Sequence, residues 1–353
     1  MADKELQDTI QLRYPRLLTA GVDYNDAQTV LRQVTRMDQW PCVWEGLADL
    51  HEGLGAAALD AGHTLTAGEA YQRAALYHHI GQSVYFADPA EKARMQGRQR
   101  AAYAKAAPHL VFPARIIDIP YDGDSFPANL RLPDGDGPFP CVLLTCGADS
   151  TKEEFHTLEN EFLRRGVATC AYDGPGQSLT WTKWRLRPDW HVPVAAVVDA
   201  LEALTDIDSG RIGIWGRSYG GYAAPRAAAG ESRLAACISI GGFYRLSDIW
   251  DRCPAAVHET LAFGFGDDSI AAAGKTAEQY SLEGVLGNIS CPLLIVHSGQ
   301  DRVCPVEESQ RMIDEAGDDA ELVVFPEGNH VCDNIPYKAR PVMADWMAEK
   351  LSA

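Results

Sequence analysis

The chain has 353 residues, 46% of them hydrophobic, which suffices for one large α/β domain and a smaller accessory unit. A formal charge of −18 excludes nucleic acid and anionic membrane surfaces as partners, because both would repel the protein at neutral pH. The nine cysteines form no C-x-x-C pair and no zinc-spaced cluster, the N-terminus has no signal-peptide pattern, and no run approaches about 18 apolar residues; the expectation is a cytoplasmic protein with reduced thiols and no membrane span.

Residues 1–110 are predicted to be helical. Thr66-Ala-Gly-Glu69 has the form of a capping box, and Asp88-Pro89-Ala-Glu91 sets an acceptor before a proline suited to the first helical turn. Between them Tyr71, Ala74, Ala75, His78, Gln82 and Tyr85 recur at helical spacing, as one face presented to a neighbour.

Residues 111–353 change to short β-branched runs separated by turn residues: Ile116–Ile119, Cys141–Leu144, Val167–Tyr172, Ile212–Trp215, Ala236–Ile240, Leu293–Val296 and Leu322–Phe325. Helical segments such as Glu153–Arg165, Val194–Leu204 and Val306–Ala316 alternate with them. That alternation predicts an α/β fold with a mostly parallel, doubly wound sheet. Lys152-Glu153-Glu154 is expected to open a helix, where carboxylates favour the N-terminus. Residues 244–287 separate two strands by more than a crossover needs, as lids over active sites do.

Gly216-Arg-Ser218-Tyr-Gly220 has the G-x-S-x-G form and falls between the strand Ile212–Trp215 and an alanine-rich helical segment. In such an elbow the glycines allow a tight strand-to-helix turn that exposes the serine hydroxyl. A serine hydroxyl needs a histidine to take its proton and an acid to fix the histidine's tautomer. Asp301 and His330 follow the last two predicted strands, in the chain order Ser, Asp, His that this arrangement requires. Backbone N–H groups of Tyr219 and of Gly147 or Ala148, in the loop after Cys141–Leu144, are the candidate oxyanion donors. Asp248, Trp250 and Asp251 in the insertion, and His78 in the helical segment, are candidate substrate contacts. No H-E-x-x-H or comparable metal-ligand set is present.

Thr145–Glu154, Tyr172-Asp-Gly-Pro-Gly-Gln177, Gly216–Gly221 and Leu234–Phe243 resemble the α/β-hydrolases grouped with 2,6-dihydroxypseudooxynicotine hydrolase. That group is related to fungal polyketide-shortening hydrolases and to FrsA-type proteins. The likeness extends over nearly the whole chain, from Ala67–Tyr85 to Met343-Ala-Asp-Trp346. It implies an α/β-hydrolase core, a helical cap built from the N-terminal region and the insertion, and a homodimer. It also implies a cofactor-free triad on Ser218, Asp301 and His330, acting on a small-molecule carbonyl substrate. The group's reaction is hydrolysis of a C–C bond next to a ketone, in β-dicarbonyl, acyl-aromatic or polyketide-like compounds. The sequence departs from relatives at Ser178-Leu179, where a glycine and an acid are frequent, and at Asp333. The triad alone equally suits an esterase, lactonase, amidase or acyltransferase, since the pocket selects the leaving group. A non-catalytic binding module is the reading from a different class.

Overall fold

The computed structural model describes residues 4–317 and 319–352. Contacts divide them into two compact units. One runs to Ile116 and also takes in Glu153–Leu158; the other comprises Ile117–Lys152 and Glu159 onward.

The first unit contains α1 (Lys4–Ala20), α2 (Tyr24–Gln33), α3 (Trp40–Asp60), α4 (Thr64–Ser83) and α5 (Pro89–Ala106). Asp88 caps α5 by accepting from the N–H groups of Ala90 and Glu91, as its sequence predicts. The Thr66–Glu69 box does not cap α4, which begins two residues earlier at Thr64 and places Thr66 inside the helix.

Packed between α3 and α5, α4 is buried on every face from Ala70 to Ser83 rather than along one stripe. Most of its buried polar groups pair inside the unit, though Gln72 Nε2 and His78 Nδ1 meet no partner among the described residues. His78 Nε2 lies 3.0 Å from Glu52, His79 Nε2 lies 3.2 Å from Glu154, and Gln82 meets His79 and Gln96. Arg16 makes a two-pronged ion pair with Glu154, and Gln99 donates to Glu153. Trp40, Trp44 and Tyr77 pack edge to face at ring separations of 5.7 and 5.3 Å, and the Tyr77 hydroxyl donates to Asp26.

The second unit carries eight strands: β1 (Ala114–Tyr121), β2 (Asp124–Arg131), β3 (Phe139–Thr145), β4 (Ala168–Tyr172), β5 (Ile207–Arg217), β6 (Leu234–Ile240), β7 (Leu293–Ser298) and β8 (Ala320–Phe325). They form one sheet in the order β1-β2-β4-β3-β5-β6-β7-β8. β2 runs antiparallel to β4, and the pairs from β4 through β8 are parallel. Helices α6 (His156–Leu163), α7 (His191–Glu202), α8 (Tyr219–Ala228), α12 (Val306–Ala316) and α13 (Pro336–Lys350) connect or follow the strands, while α9 (Leu246–Ile249), α10 (Ala255–Phe265) and α11 (Ile270–Thr276) lie in the long interval between β6 and β7.

β2 is absent from the sequence expectation, because Pro127 and the polar Asp124, Ser125, Asn129 and Arg131 mask its pattern. Its burial depends on distant partners: Arg131 pairs with Glu159 at 3.1 Å and donates to Asn160. The sheet order reverses between β3 and β5, and the carboxyl ends of strands at such a switch point form a crevice.

Candidate active site

The elbow sits at that switch. Ser218 has φ 56° and ψ −118°, a left-handed conformation costly for a residue with a Cβ, held by its N–H donating to Ile240 O at 2.9 Å. The flanking glycines are steric necessities. A Cβ on Gly216 would lie 2.0 Å from Gly220 O, and one on Gly220 would lie 2.3 Å from Thr145 O. Gly220→Ala is expected to cost about 3 kcal/mol or more of stability, as overpacking against immobile backbone does. Urea unfolding of the purified variant checks this; an unchanged midpoint would refute the steric account.

The structure brings Ser218, His330 and Asp301 together. His330 Nε2 lies 2.9 Å from Ser218 Oγ, and His330 Nδ1 lies 2.7 Å from Asp301 Oδ2. The other Asp301 oxygen accepts from the N–H groups of Val303 and Cys304 at 2.8 and 2.9 Å. Burial pushes the Asp301 carboxyl upward. The charge and hydrogen bond of His330, with the Cys304 N–H, outweigh it and hold the group below the ordinary carboxylate range.

After His330 the chain turns sharply. Val331 and Cys332 both take left-handed backbone, φ 53° and 57°, unusual for a β-branched residue in particular. Three residues past the histidine, Asp333 pairs with Arg217 at 2.7 Å, both side chains about nine-tenths buried. Arg217 is the variable residue before Ser218 in the G-x-S-x-G pattern, so this pair ties the histidine loop to the elbow. Asp333, a departure noted from sequence, is thus the partner of a residue in the motif itself.

The Asp173–Gln177 motif braces the loop after β3. Asp173 accepts from Lys152 through both its backbone N–H, at 2.9 Å, and its ammonium, at 2.6 Å. The Gln177 amide donates to the carbonyls of Cys146 and Gly147. Lys152–Phe155 is a 3-10 turn that runs directly into α6, so this stretch opens a helix as expected; its carboxylates are engaged by the side chains of the first unit described above.

Rings line the far side of the elbow. Tyr219, Tyr222 and Tyr280 lie within 6.0 Å of one another, and their hydroxyls donate to the carbonyls of Arg187, Pro188 and Leu186 in turn. Tyr280, after α11, thereby fastens the insertion to the loop before α7.

Most of the candidate substrate contacts have other partners. Asp248 is exposed and pairs with Arg311 at 2.8 Å, Trp250 packs against His258 with the rings tilted by 40°, and Asp251 is exposed. His78, expected as a contact, is fully buried and committed to Glu52; it is a packing residue of the helical unit. Glu52 and Asp49 beside it approach a metal-ligand grouping, but Arg98 and Lys105 bridge the carboxylates at 2.6–3.2 Å and supply the positive charge there.

His297, also buried, donates from Nε2 to Cys304 O at 3.0 Å and lies 3.9 Å from Asp301. Burial holds both His78 and His297 below the ordinary histidine value. The unfolded chain takes up their protons near about pH 6.5, the folded chain only lower, so their stabilising effect is full above that pH and lost as the pH falls through the folded values. Urea midpoints measured from pH 7.5 down to 5.5 are expected to fall, and His78→Gln with His297→Gln should flatten that fall. An identical slope in the double variant would assign the dependence elsewhere.

Residues 23–352 match the family model described as Esterase FrsA-like. The chain belongs to the FrsA-like esterase family. It is 36% identical over 348 residues to the 2,6-dihydropseudooxynicotine hydrolase of Paenarthrobacter nicotinovorans, covering 97% of this chain and 92% of that protein. It is also 28% identical to the α/β hydrolase xenA of Xenoacremonium sinensis, over 89% of this chain and 87% of the relative. The crystal structure of the 2,6-dihydroxy-pseudo-oxynicotine hydrolase superposes with a TM-score of 0.89 at 36% identity, covering 96% of this chain and 95% of that one. The fold is that of the α/β-hydrolases, as these FrsA-like relatives and the mostly parallel sheet agree.

Proposed function

We propose that this FrsA-like protein is a cofactor-independent serine hydrolase that cleaves a C–C bond adjacent to a ketone, in a β-dicarbonyl, acyl-aromatic or polyketide-like small molecule. The observation that carries the reading is the relay from Ser218 Oγ through His330 to Asp301, with contacts of 2.9 and 2.7 Å at the switch point of the sheet. The reaction class rests on the likeness to the Paenarthrobacter nicotinovorans relative, whose name specifies a hydrolase of a pseudooxynicotine.

In this reading His330 Nε2 takes the hydroxyl proton as Ser218 Oγ bonds to the ketone carbon, and the carbonyl oxygen becomes an oxyanion facing the N–H groups of Tyr219 and Gly147 or Ala148. Collapse breaks the C–C bond. Its electron pair leaves as an enolate, which the His330 imidazolium protonates to a ketone. Water, deprotonated by His330, then releases the acyl group from Ser218 as a carboxylic acid. The net reaction consumes one water and leaves the enzyme unchanged. Residues 244–287 would wall the pocket, Tyr280 anchoring them beside the elbow.

Mass-spectrometric product analysis against aryl 1,3-diketones, acyl-polyketides and aryl esters tests the reaction, with Ser218→Ala as control. Serine-dependent release of an acid plus a ketone is expected; turnover of esters alone would replace the reading with an esterase. We also propose a cytoplasmic homodimer. No helix among the described residues is long and apolar enough to cross a membrane, and the exposed Leu50, Leu54 and Leu65 of the helical unit offer apolar surface to a second copy. Light scattering of the purified chain tests the assembly.

A further inference from the structure

We infer that Gln177 is a positioning residue that sets the oxyanion hole, an inference that rests on the serine-hydrolase reading above. Gln177 is 1% exposed, and its side chain is fully used. Its Oε1 accepts from the N–H of Gly174 at 3.0 Å, while its Nε2 donates to Cys146 O at 2.9 Å and to Gly147 O at 3.3 Å. The first bond fixes the amide's orientation, so the NH2 end can face only the loop after β3.

Those two carbonyls belong to consecutive peptide units, and the N–H groups on the same two units are those of Gly147 and Ala148. A trans peptide is planar, with its C=O and N–H pointing in opposite directions. Drawing both carbonyls toward Gln177 therefore turns both N–H groups away from it. Among the described residues, neither N–H has an acceptor. Gly147 lies against the nucleophile, since a Cβ built on it would stand 3.6 Å from Ser218 Cβ and 3.6 Å from Arg217 O. The Tyr219 N–H, at the first position of α8, is likewise an orphan of the helix end. Two loop donors and one helix donor are thus left over, those of Gly147 and Tyr219 next to Ser218, and Gln177 determines the direction of the loop pair.

Gln177 touches no reacting atom in this scheme. Its loss should weaken stabilisation of the oxyanion, formed only during reaction, and leave ground-state binding intact. Three measurements separate this from a structural role: steady-state kinetics (kcat and KM) on an aryl ester, the rate of Ser218 labelling by a fluorophosphonate, and inhibition by an aryl trifluoromethyl ketone, whose hemiketal oxygen mimics the oxyanion. Gln177→Met keeps length and removes both polar atoms; Gln177→Glu keeps the acceptor for Gly174 and removes both donors, and it decides the matter if the methionine variant does not fold. The expected result is a fall in kcat of about 10²-fold with KM little changed, and parallel losses in labelling rate and ketone affinity. A folded variant with unchanged kcat, or one that loses only thermal stability, would overturn the role of Gln177. Absence of Ser218 labelling in the wild-type protein would overturn the hydrolase reading and this inference with it.

Discussion

Replacing Ser218 by alanine is expected to lower kcat by about 10⁴- to 10⁶-fold while leaving the fold intact. The variant loses the only hydroxyl placed 2.9 Å from His330 Nε2, so no acyl-enzyme can form. Its fold should be little changed, because the backbone at φ 56° keeps its Cβ and loses only the hydroxyl. The decisive companion is the double variant Ser218→Ala, His330→Ala. Groups that act as one unit show strongly non-additive losses, so the double variant should be about as slow as either single one. Losses that multiply would mean that His330 activates water independently of the serine, a different mechanism on the same residues. Single-turnover kinetics on whichever substrate the product screen identifies would read both.

Changing Asp301 to asparagine is expected to cost about 10⁴-fold in kcat through a proton placed on the wrong nitrogen. The buried carboxylate accepts from His330 Nδ1, which leaves Nε2 free to take the serine proton. The two N–H groups of Val303 and Cys304 hold one side-chain oxygen in place, so an asparagine there presents its NH2 to the imidazole. His330 must then accept at Nδ1 and carry its proton on Nε2, where it blocks the acceptance that catalysis needs. Because the native carboxyl is held below its ordinary range, it stays ionised at every pH at which the enzyme would work. A folded Asp301→Asn protein retaining more than about a tenth of wild-type kcat would show that the tautomer is not controlled here.

The parts of this molecule that the sequence announces are those built from local chemistry. Parallel strands such as Leu293–Ser298 are buried on both faces and appear as unbroken apolar runs, and the elbow glycines and the acid and histidine loops follow directly from such strands. Long-range polar pairing is what stays hidden. Arg217 and Asp333 are 116 positions apart, and neither has a reason to be buried until the other is present. Gln177 acts on backbone carbonyls some thirty positions earlier, and a carbonyl leaves no trace in side-chain identity. β2 conceals itself because Arg131, charged and completely buried, is acceptable in a strand only with Glu159 beside it. The α4 stripe misleads in the opposite direction. Alanines and glycines packed between two helices let polar His78, His79 and Gln82 go inside as well, so periodicity alone understates how central that helix is.

The distribution of sulfur gives the protein a built-in gauge of its own opening. Of the nine thiols, Cys42 alone is exposed and is the only one in the helical unit. The other eight are buried in the sheet unit, and burial pushes Cys141, Cys237 and Cys304 far from forming a thiolate. An alkylating reagent applied to the native chain therefore adds one mass increment, and each further increment counts molecules in which the sheet unit has let solvent in. Whole-protein mass spectrometry would read the opening of the catalytic half separately from any fraying of the helices, with no label introduced and no residue changed.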